Sequence, residues 1–385
     1  MSKLDPIAIY IHWPFCKSKC PYCDFNVHVW EQVDHAQWRA AYGRSLEHYA
    51  DLMPGRRVAS VFFGGGTPSL MEPATVAFIL ERVAALWPID NGMEVTLEAN
   101  PTSVENQKLK DFKAAGVNRV SLGVQSLKDA DLKFLGRTHD RAQALAAIEM
   151  AGALFDRFSF DLIYARPGQT LEQWEEELGE ALRIQRGHLS LYQLTIERST
   201  PFYLDQAQGK FTMPDDGLAA DFYGLTQDIT AAAGLPAYEV SNHARPGHES
   251  AHNLIYWNYG DYIGIGPGAH GRITRAGEKF ATREHAAPGI WLERVEAQGA
   301  GYHPFEPVPR AERFAEALMM GLRLPGGVPV ARLEAEGQCS FEERIDLGKM
   351  EIAIAQGWMA YDQTNLILTR EGMLRLNALL PFLLK

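Results

Sequence analysis

Six short apolar segments, each ending in a polar or glycine-rich loop, limit the folds open to this chain. The first two, residues 7–13 and 58–63, are nearly continuous apolar runs, as expected for strands buried on both faces of a parallel sheet. The predicted strands are residues 7–13, 58–63, 94–98, 119–124, 158–164 and 188–194. Helical patterns separate them, and this alternation is typical of α/β folds. The sequence therefore predicts a parallel α/β structure, an open sheet or a barrel, over about the first 235 residues.

Three of the four cysteines lie within eight residues, in the loop that follows the first predicted strand. Cys16, Cys20 and Cys23 have the spacing Cys-x3-Cys-x2-Cys. A disulfide framework is typical of small secreted chains with even numbers of cysteines. Clustered thiols in a chain of 385 residues instead indicate ligands of a soft metal or of an iron–sulfur cluster. A zinc site with the flanking His12 or His28, or three unligated buried thiols, are the alternatives.

A glycine-rich loop, residues 64–69, follows the second predicted strand. It lacks the Gly-Lys-Ser/Thr ending of a Walker A motif. Glycines after a strand let backbone N–H and C=O groups approach a ligand closely, although a tight turn without a ligand is the alternative. Glu98, Gln125 and Asp161 lie at or near the ends of later strands. Because the loops after the strands carry the chemistry in α/β barrels, these features predict one shared site.

Together, the cysteine spacing and Tyr22 just before the last cysteine resemble the radical S-adenosylmethionine (radical SAM) superfamily. The resemblance implies a partial (β/α)6 barrel in which Cys16, Cys20 and Cys23 hold a 4Fe-4S cluster. The fourth iron would be open to SAM, which a reduced cluster can split to a 5′-deoxyadenosyl radical. An Arg suits the carboxylate of SAM, and acidic groups suit its hydroxyls or its positive end. The SAM contacts that the resemblance implies are Tyr10, Tyr22, Gly65, Gly66, Thr67, Glu98, Gln125, Arg137 and Asp161.

Within the superfamily, the chain is similar to the HemW haem chaperones and the oxygen-independent coproporphyrinogen III oxidases. The similar stretches are residues 10–16, 64–69, 123–126, 135–139 and 161–164. Residues 165–167, Ala-Arg-Pro, depart from the usual Gly-Leu-Pro of these families. The oxidases carry a fourth cysteine where this chain has Phe25, and a longer N-terminal extension. Both differences favour the chaperones.

Residues 252–257 match the His-Asn-x-x-Tyr-Trp motif of the HemW family. The match implies that His252, Tyr256 and Trp257 belong to a haem site, since histidine is a common axial ligand and aromatic rings can line a porphyrin. The alternative is that His252 only orders a loop.

The resemblance implies a haem chaperone that binds the cluster, SAM and haem and delivers haem to acceptor haemoproteins. An electron donor such as flavodoxin or ferredoxin would reduce the cluster. An oxygen-independent coproporphyrinogen III oxidase, or a SAM-dependent enzyme that modifies haem, are the alternatives, so enzyme activity is left open.

Composition limits the partners and the location. The formal net charge is −11, which disfavours a broad nucleic-acid surface. No run of 18 apolar residues predicts a membrane span, and residues 1–6 lack the apolar core of a signal peptide. We therefore expect a cytoplasmic protein, with peripheral membrane contact left open.

The predicted division is a radical SAM barrel over 1–235, an extension with the haem-motif loop over 236–300, and a C-terminal domain over 301–385. A further strand is predicted at 237–240. Helices at 311–322, 330–336 and 342–356, a hairpin at 357–369 and a short last helix predict a winged-helix-like unit. Its nine Lys or Arg and eleven Asp or Glu leave no basic stripe, which favours a structural or docking role over DNA binding.

Overall fold

The computed structural model describes residues 6–30 and 32–385, without the side chains of residues 103–106. The strands are β1 (Ile7–Trp13), β2 (Phe15–Cys16), β3 (His28–Val29), β4 (Val58–Gly65), β5 (Ile89–Ala99), β6 (Arg119–Gln125), β7 (Arg157–Tyr164), β8 (His188–Gln193), β9 (Asn242–Ala244), β10 (Tyr262–Ile265), β11 (His270–Arg275), β12 (Glu278–Arg283), β13 (Glu306–Pro307), β14 (Val328–Pro329), β15 (Met359–Tyr361) and β16 (Asn365–Leu368).

The helices are α1 (His35–Leu52), α2 (Pro73–Leu86), α3 (Ser103–Ala114), α4 (Asp129–Phe134), α5 (Arg141–Leu154), α6 (Leu171–Ile184), α7 (Pro201–Ala207), α8 (Asp216–Ala232), α9 (Ala251–Trp257), α10 (Pro288–Gln298), α11 (Arg310–Gly321), α12 (Val330–Gly337), α13 (Phe341–Arg344), α14 (Leu347–Ala355), α15 (Arg370–Met373) and α16 (Leu376–Leu383). A 3₁₀ turn, Pro68–Leu70, follows β4. Among the helices described, none has both the length and the hydropathy to cross a bilayer.

Eleven strands form one sheet in the order β13-β12-β11-β10-β1-β4-β5-β6-β7-β8-β9. The seven strands from β10 to β8 pair in parallel. Antiparallel strands extend the sheet at both ends. All six strands predicted from the sequence lie next to one another in the parallel part, which confirms the α/β fold class.

The two faces of β1 show why the sequence of this strand is a continuous apolar run. Ile9, Ile11 and Trp13 belong to the main hydrophobic core, and the Trp13 ring lies 6.0 Å from that of Trp38 on α1. Tyr10 points to the other face, where its ring stacks at 6.2 Å on Phe62 of β4. Both faces of the strand are therefore covered by other side chains.

The short helix α9 packs against this second face of the sheet. Glu94 of β5 caps its N-terminus by accepting hydrogen bonds from the Ser250 hydroxyl and from the Ala251 and His252 backbone N–H groups, each at 3.2 Å. Arg157 of β7 lies 3.1 Å from the same carboxylate. A buried carboxylate thus satisfies the orphan N–H groups of the helix and complements its dipole.

The segment 236–300 continues the sheet. Strand β10 pairs with β1 in parallel, with Ile9 opposite Ile263 and Ile11 opposite Ile265. Ile263, Ile265 and Trp291 belong to the same hydrophobic core as β1. The division predicted after residue 235 therefore crosses a continuous sheet, and it stays a prediction.

The C-terminal part has a core of its own. Phe314, Leu333, Phe341, Leu366 and Leu379 are among its buried residues. Strands β14, β16 and β15 form a separate antiparallel sheet beside helices α11 to α16. This confirms the predicted order of helices followed by a hairpin.

Two local predictions were wrong. Residues 237–240 do not form a strand, because the Glu239 side chain accepts hydrogen bonds from the Ser241 N–H at 3.2 Å and from the Asn242 amide, which folds the segment into a turn. The strand is β9, which begins at Asn242 and pairs with β8. The helix predicted over 342–356 is divided into α13 and α14, since Asp346 caps α14 through the Lys349 N–H at 3.1 Å.

We expect Glu94→Ala to lower the free energy of unfolding by about 3 kcal/mol, because it leaves buried donors and Arg157 without their acceptor. Glu94→Gln should cost less, since an amide oxygen still accepts. Glu47→Ala, which removes an exposed ion pair with Arg82, is the matched control and should change stability by less than about 1 kcal/mol. Urea unfolding followed by circular dichroism measures all three, and equal effects of Glu94→Ala and Glu47→Ala would contradict the capping role.

Candidate functional site

The cysteine loop lies beyond the end of β1. Cys16 is in β2, which pairs with β3, and a hydrogen bond of 3.1 Å from the Cys23 N–H to the Cys20 carbonyl closes the turn between them. All four cysteines are free thiols, and Cys16 is buried. Burial raises the pKa of the Cys16 and Cys23 thiols, while the Thr67 hydroxyl opposes this at Cys16. Among the described residues, no group of three or more His, Cys, Asp or Glu side chains is arranged so that it could hold a single metal ion.

The glycine loop holds the cysteine loop against the sheet. The Gly66 N–H donates to the Trp13 carbonyl at 2.7 Å, and the Thr67 N–H donates to the Phe15 carbonyl at 2.9 Å. A Cβ atom on Gly66 would lie 2.7 Å from the Phe15 oxygen and 3.0 Å from the Cys16 sulfur. The sequence predicted close backbone approach to a ligand, but the group approached at Gly66 is the cysteine loop itself.

Arg137, which also lines the cavity, contacts the cysteine loop. Its Nη1 donates to the Cys20 sulfur at 3.3 Å, and its Nη2 donates to Asn100 Oδ1 at 2.5 Å and to the Gly123 carbonyl at 2.8 Å. The preceding Gly136 has a φ of +67°, and a Cβ atom there would lie 2.6 Å from Pro21. A fixed guanidinium group therefore lies beside one of the thiols.

Two carboxyl groups lie on β5 and β7, the parallel strands on either side of β6. The Gly65 N–H donates to Glu98 at 3.2 Å, and the Ser121 hydroxyl donates to Asp161 at 3.2 Å. Desolvation, with repulsion from Asp161, raises the pKa of Glu98 to about 8. Desolvation also raises the pKa of Asp161 to about 6. In the ligand-free cavity, a proton is therefore held on Glu98 near neutral pH.

Two polar atoms of the cavity are buried without a hydrogen-bond partner in the described structure. They are Gln125 Oε1 and Arg137 Nε. Gln125 also has a φ of +73°, which is uncommon for a residue with a side chain. Unsatisfied buried groups are costly. An acceptor and a donor thus remain for a polar ligand with groups of both kinds, which fits the amino acid and ribose parts of SAM.

The structure brings most predicted site residues to one cavity. Those that line it are Cys16, Cys20, Tyr22, Cys23, Gly65, Gly66, Thr67, Glu98, Gln125, Arg137 and Asp161. Tyr10 does not line it; its ring lies on the face of the sheet that packs against α9, and its hydroxyl lies 3.0 Å from His12 Nδ1. The other nitrogen of His12 is 3.0 Å from the Asn26 carbonyl. Both nitrogens of His12 are therefore engaged, which disfavours it as a zinc ligand.

The three predicted haem residues lie elsewhere. His252 is 1% exposed and stacks at 4.9 Å on Phe62. Its Nδ1 lies 2.9 Å from the Ser60 hydroxyl, and its Nε2 lies 2.6 Å from the Tyr256 hydroxyl. Burial lowers the pKa of His252 to about 3. His252 therefore fixes Tyr256, while Tyr256 and Trp257 themselves line a second cavity.

Sequence reasoning missed that residues 264–270 pack against His12 and Asn26, on either side of the cysteine loop. Asn26, which follows the cysteines, donates to the Pro267 carbonyl at 2.9 Å. A Cβ atom on Gly266 would lie 2.3 Å from the His12 carbonyl, and one on Gly268 would lie 2.4 Å from Asn26. The density of glycines in this stretch was the available signal, but nothing local indicated what approaches them. Asn100, the partner of Arg137, carried no signal of its own.

Family models match two parts of the chain. The model of the radical SAM superfamily matches residues 10–181, which include the three clustered cysteines and all the predicted SAM residues. The model of the HemN C-terminal domain matches residues 308–375.

Relatives cover nearly the full length. The chain is 42% identical to the mitochondrial radical S-adenosyl methionine domain-containing protein 1 of Mus musculus, over 98% of this chain and 87% of that protein. It is 37% identical to the heme chaperone HemW of Escherichia coli over 100% of both chains. It is 35% identical to the heme chaperone HemW of Haemophilus influenzae over 100% of this chain and 99% of that protein.

A solved structure shares the fold. The radical SAM enzyme coproporphyrinogen III oxidase (HemN) of Escherichia coli matches with a TM-score of 0.82, over 99% of this chain and 90% of that one. The sequence identity is 21%, so the match bears on the fold.

Replacing Glu98 with Gln tests the buried carboxyl group. Because folding raises its pKa from 4.5 to about 8, the folded chain binds the proton more tightly than the unfolded chain. This contribution to the free energy of unfolding is complete below the unfolded pKa and is lost as the pH rises to about 8. We therefore expect stability, measured by urea unfolding of the ligand-free protein, to fall more steeply from about pH 5 to pH 8 in the wild type than in Glu98→Gln. Glu175→Gln, which changes an exposed carboxylate, is the control, and its stability should fall with pH as in the wild type. If the stability of Glu98→Gln also fell as steeply as that of the wild type, Glu98 would not be the group that titrates.

Proposed function

We propose that this chain, which belongs to the HemW family of the radical SAM superfamily, is a haem chaperone that holds a 4Fe-4S cluster, SAM and haem and delivers haem to acceptor haemoproteins. The observation that carries the proposal is the cavity that gathers three cysteine thiols, a fixed arginine and unpartnered polar atoms. Similarity over the full length to proteins named heme chaperones supports the part that concerns haem.

In this proposal, the thiolates of Cys16, Cys20 and Cys23 hold the cluster. A cluster held by these three thiolates would, when reduced, supply one-electron chemistry to bound SAM. The Thr67 hydroxyl, 3.5 Å from Cys16, and the Arg137 guanidinium beside Cys20 donate hydrogen bonds that stabilise thiolates. A reducing compartment such as the cytoplasm suits four free cysteines, and flavodoxin or ferredoxin would be a suitable electron donor.

The remaining residues of the cavity would bind SAM. Arg137 suits its carboxylate, and Glu98 and Asp161 suit its hydroxyls or its ammonium group. Gln125 has a free acceptor for a donor of the ligand. Tyr22, whose ring lies 6.4 Å from that of Phe202, supplies an aromatic wall. A cation bound next to Glu98 would favour the ionised carboxylate, so binding would release its proton.

The haem part of the proposal concerns Tyr256 and Trp257, with His252 as the residue that positions Tyr256. His252 has both ring nitrogens hydrogen-bonded, so ligation of iron by His252 would require the ring to leave its pocket.

Cys20→Ala tests the cluster. After anaerobic reconstitution with iron and sulfide, we expect the wild type to gain broad visible absorption and about four irons per chain. Cys20→Ala should lose both, because one thiolate ligand is gone. Cys339→Ala is the matched control, since this cysteine packs in the C-terminal core, and it should keep the spectrum. A normal cluster spectrum in Cys20→Ala, or zinc in place of iron on metal analysis, would refute the assignment.

Haem transfer tests delivery. The full-length protein is loaded with haem anaerobically and mixed with an apo-haemoprotein, and the shift of the Soret band is followed over time. A chaperone transfers haem on contact, so we expect the rate to rise with acceptor concentration. Haem-loaded serum albumin is the control donor, whose rate should be limited by dissociation.

The outcome that would contradict delivery is a transfer rate independent of the acceptor and equal to haem dissociation. Anaerobic incubation with coproporphyrinogen III, SAM and a reductant is run beside it. Decarboxylated product without saturable haem binding would replace the chaperone with the oxidase.

A further inference from the structure

A second cavity, with a volume of about 700 Å³, lies between the edge of the large sheet and the C-terminal part of the chain. This volume falls in the range of about 300–1,000 Å³ that is usual for small-molecule sites. One wall comes from β8, the turn before β9, and α9. The other comes from Arg323, which follows α11, and from residues 373–378.

The wall on the sheet side is aromatic. Tyr192 of β8, Tyr256 and Trp257 line it. The hydrogen bond of 2.6 Å to His252 and the Tyr262 ring at 4.4 Å fix Tyr256. Trp257 Nε1 is buried without a hydrogen-bond partner in the described structure. The wall thus offers flat apolar surfaces and one unused donor. Glu239 also lines this side, where it accepts a hydrogen bond from the Asn242 amide and where burial raises its pKa, which favours the neutral carboxyl group.

The opposite wall is cationic. The Arg323 guanidinium lies 5.5 Å from the centre of the Trp257 ring, and its Nη1 donates to the Met319 carbonyl. Among the described residues, Arg323 has no carboxylate within ion-pair distance. Arg375 lines the same cavity and forms an ion pair with the exposed Glu371, in a contact of the kind that contributes little. Both cations therefore have donors to offer an anionic ligand.

The cationic wall is held in place by a network beside the cavity. Glu316 of α11 accepts a hydrogen bond from the Tyr259 hydroxyl at 2.5 Å and from Arg272 Nη2 at 2.8 Å. Arg272 belongs to β11 of the large sheet. On the other side, Arg370 of α15 pairs with Asp228 of α8. These contacts set the C-terminal arginines opposite the aromatic wall.

We propose that this cavity is the haem site, in which Arg323 and Arg375 bind the two propionate carboxylates while Tyr192 and Trp257 face the porphyrin ring. A flat, apolar ligand with two carboxylates on one edge matches a site with aromatic rings on one wall and two guanidinium groups on the other. The inference rests on the proposed haem chaperone function. It assigns the C-terminal domain a direct part in ligand binding.

The test is an anaerobic titration of the full-length protein, followed by Soret absorption, with haem and with its dimethyl ester, which lacks free carboxylates. We expect the wild type to bind haem roughly tenfold or more tightly than the ester. Arg323→Gln and Arg375→Gln should each weaken haem binding by roughly tenfold and leave binding of the ester unchanged. Arg310→Gln removes an exposed arginine at the start of α11 and should bind haem like the wild type.

Equal affinity of the wild type for haem and the ester would overturn the inference without any variant. Wild-type haem affinity in both Arg323→Gln and Arg375→Gln would also overturn it, and the chaperone function would stand because haem is still bound. Absence of saturable haem binding by the wild type would instead remove the proposed function itself. Circular dichroism and the reconstituted cluster spectrum verify that each variant is folded.

Discussion

Two main-chain hydrogen bonds, from Gly66 to Trp13 and from Thr67 to Phe15, fix the position of the first clustered cysteine. They join the end of β4 to the chain that leaves β1, so the cysteine loop begins at a defined point above the sheet. The approach is so close that a methyl group on Gly66 would collide with the Phe15 carbonyl. The contacts of Thr67 with Cys16 and of Arg137 with Cys20 depend on this placement, as does the shape of the cavity.

The cavity combines groups that are unfavourable without a ligand. Glu98 and Asp161 are close enough for repulsion to add to the desolvation of Glu98, and Gln125 has an unusual backbone conformation and an unpartnered oxygen. Such features persist only where the surrounding structure determines them, and they cluster at binding sites. The surrounding parallel strands, whose buried side chains belong to the main hydrophobic core, provide this stability.

Local patterns were sufficient for the strands, and the family resemblance named most of the residues that line the cysteine cavity. The apolar runs predicted the six parallel strands, and parallel strands bring the residues at their ends to the same edge. The error at 237–240 arose because Glu239 uses its side chain within a turn, which the apolar pattern does not reveal. The position of α9 could not be predicted from local patterns, for a different reason. Its cap is Glu94, more than 150 positions earlier in the chain, and only the folded sheet brings the two together.

The same limit applies to His252. The motif around it implied a place in a haem site, but Ser60 and Tyr256 are hydrogen-bonded to its two nitrogens. Its imidazole is a structural part of the wall behind the second cavity. The motif brought His252 and Tyr256 into one prediction, while the contact that His252 makes with Ser60 depends on another strand of the sheet.

The separate hydrophobic core of the C-terminal part has an evolutionary consequence. The walls of the cysteine cavity come from residues 16–161, whereas the second cavity also needs residues 323 and 373–378. Substitutions in the C-terminal core can therefore accumulate without disturbing the thiols. Selection could then change the size or charge of the second ligand among descendants of this chain while the chemistry at the cysteines stays the same.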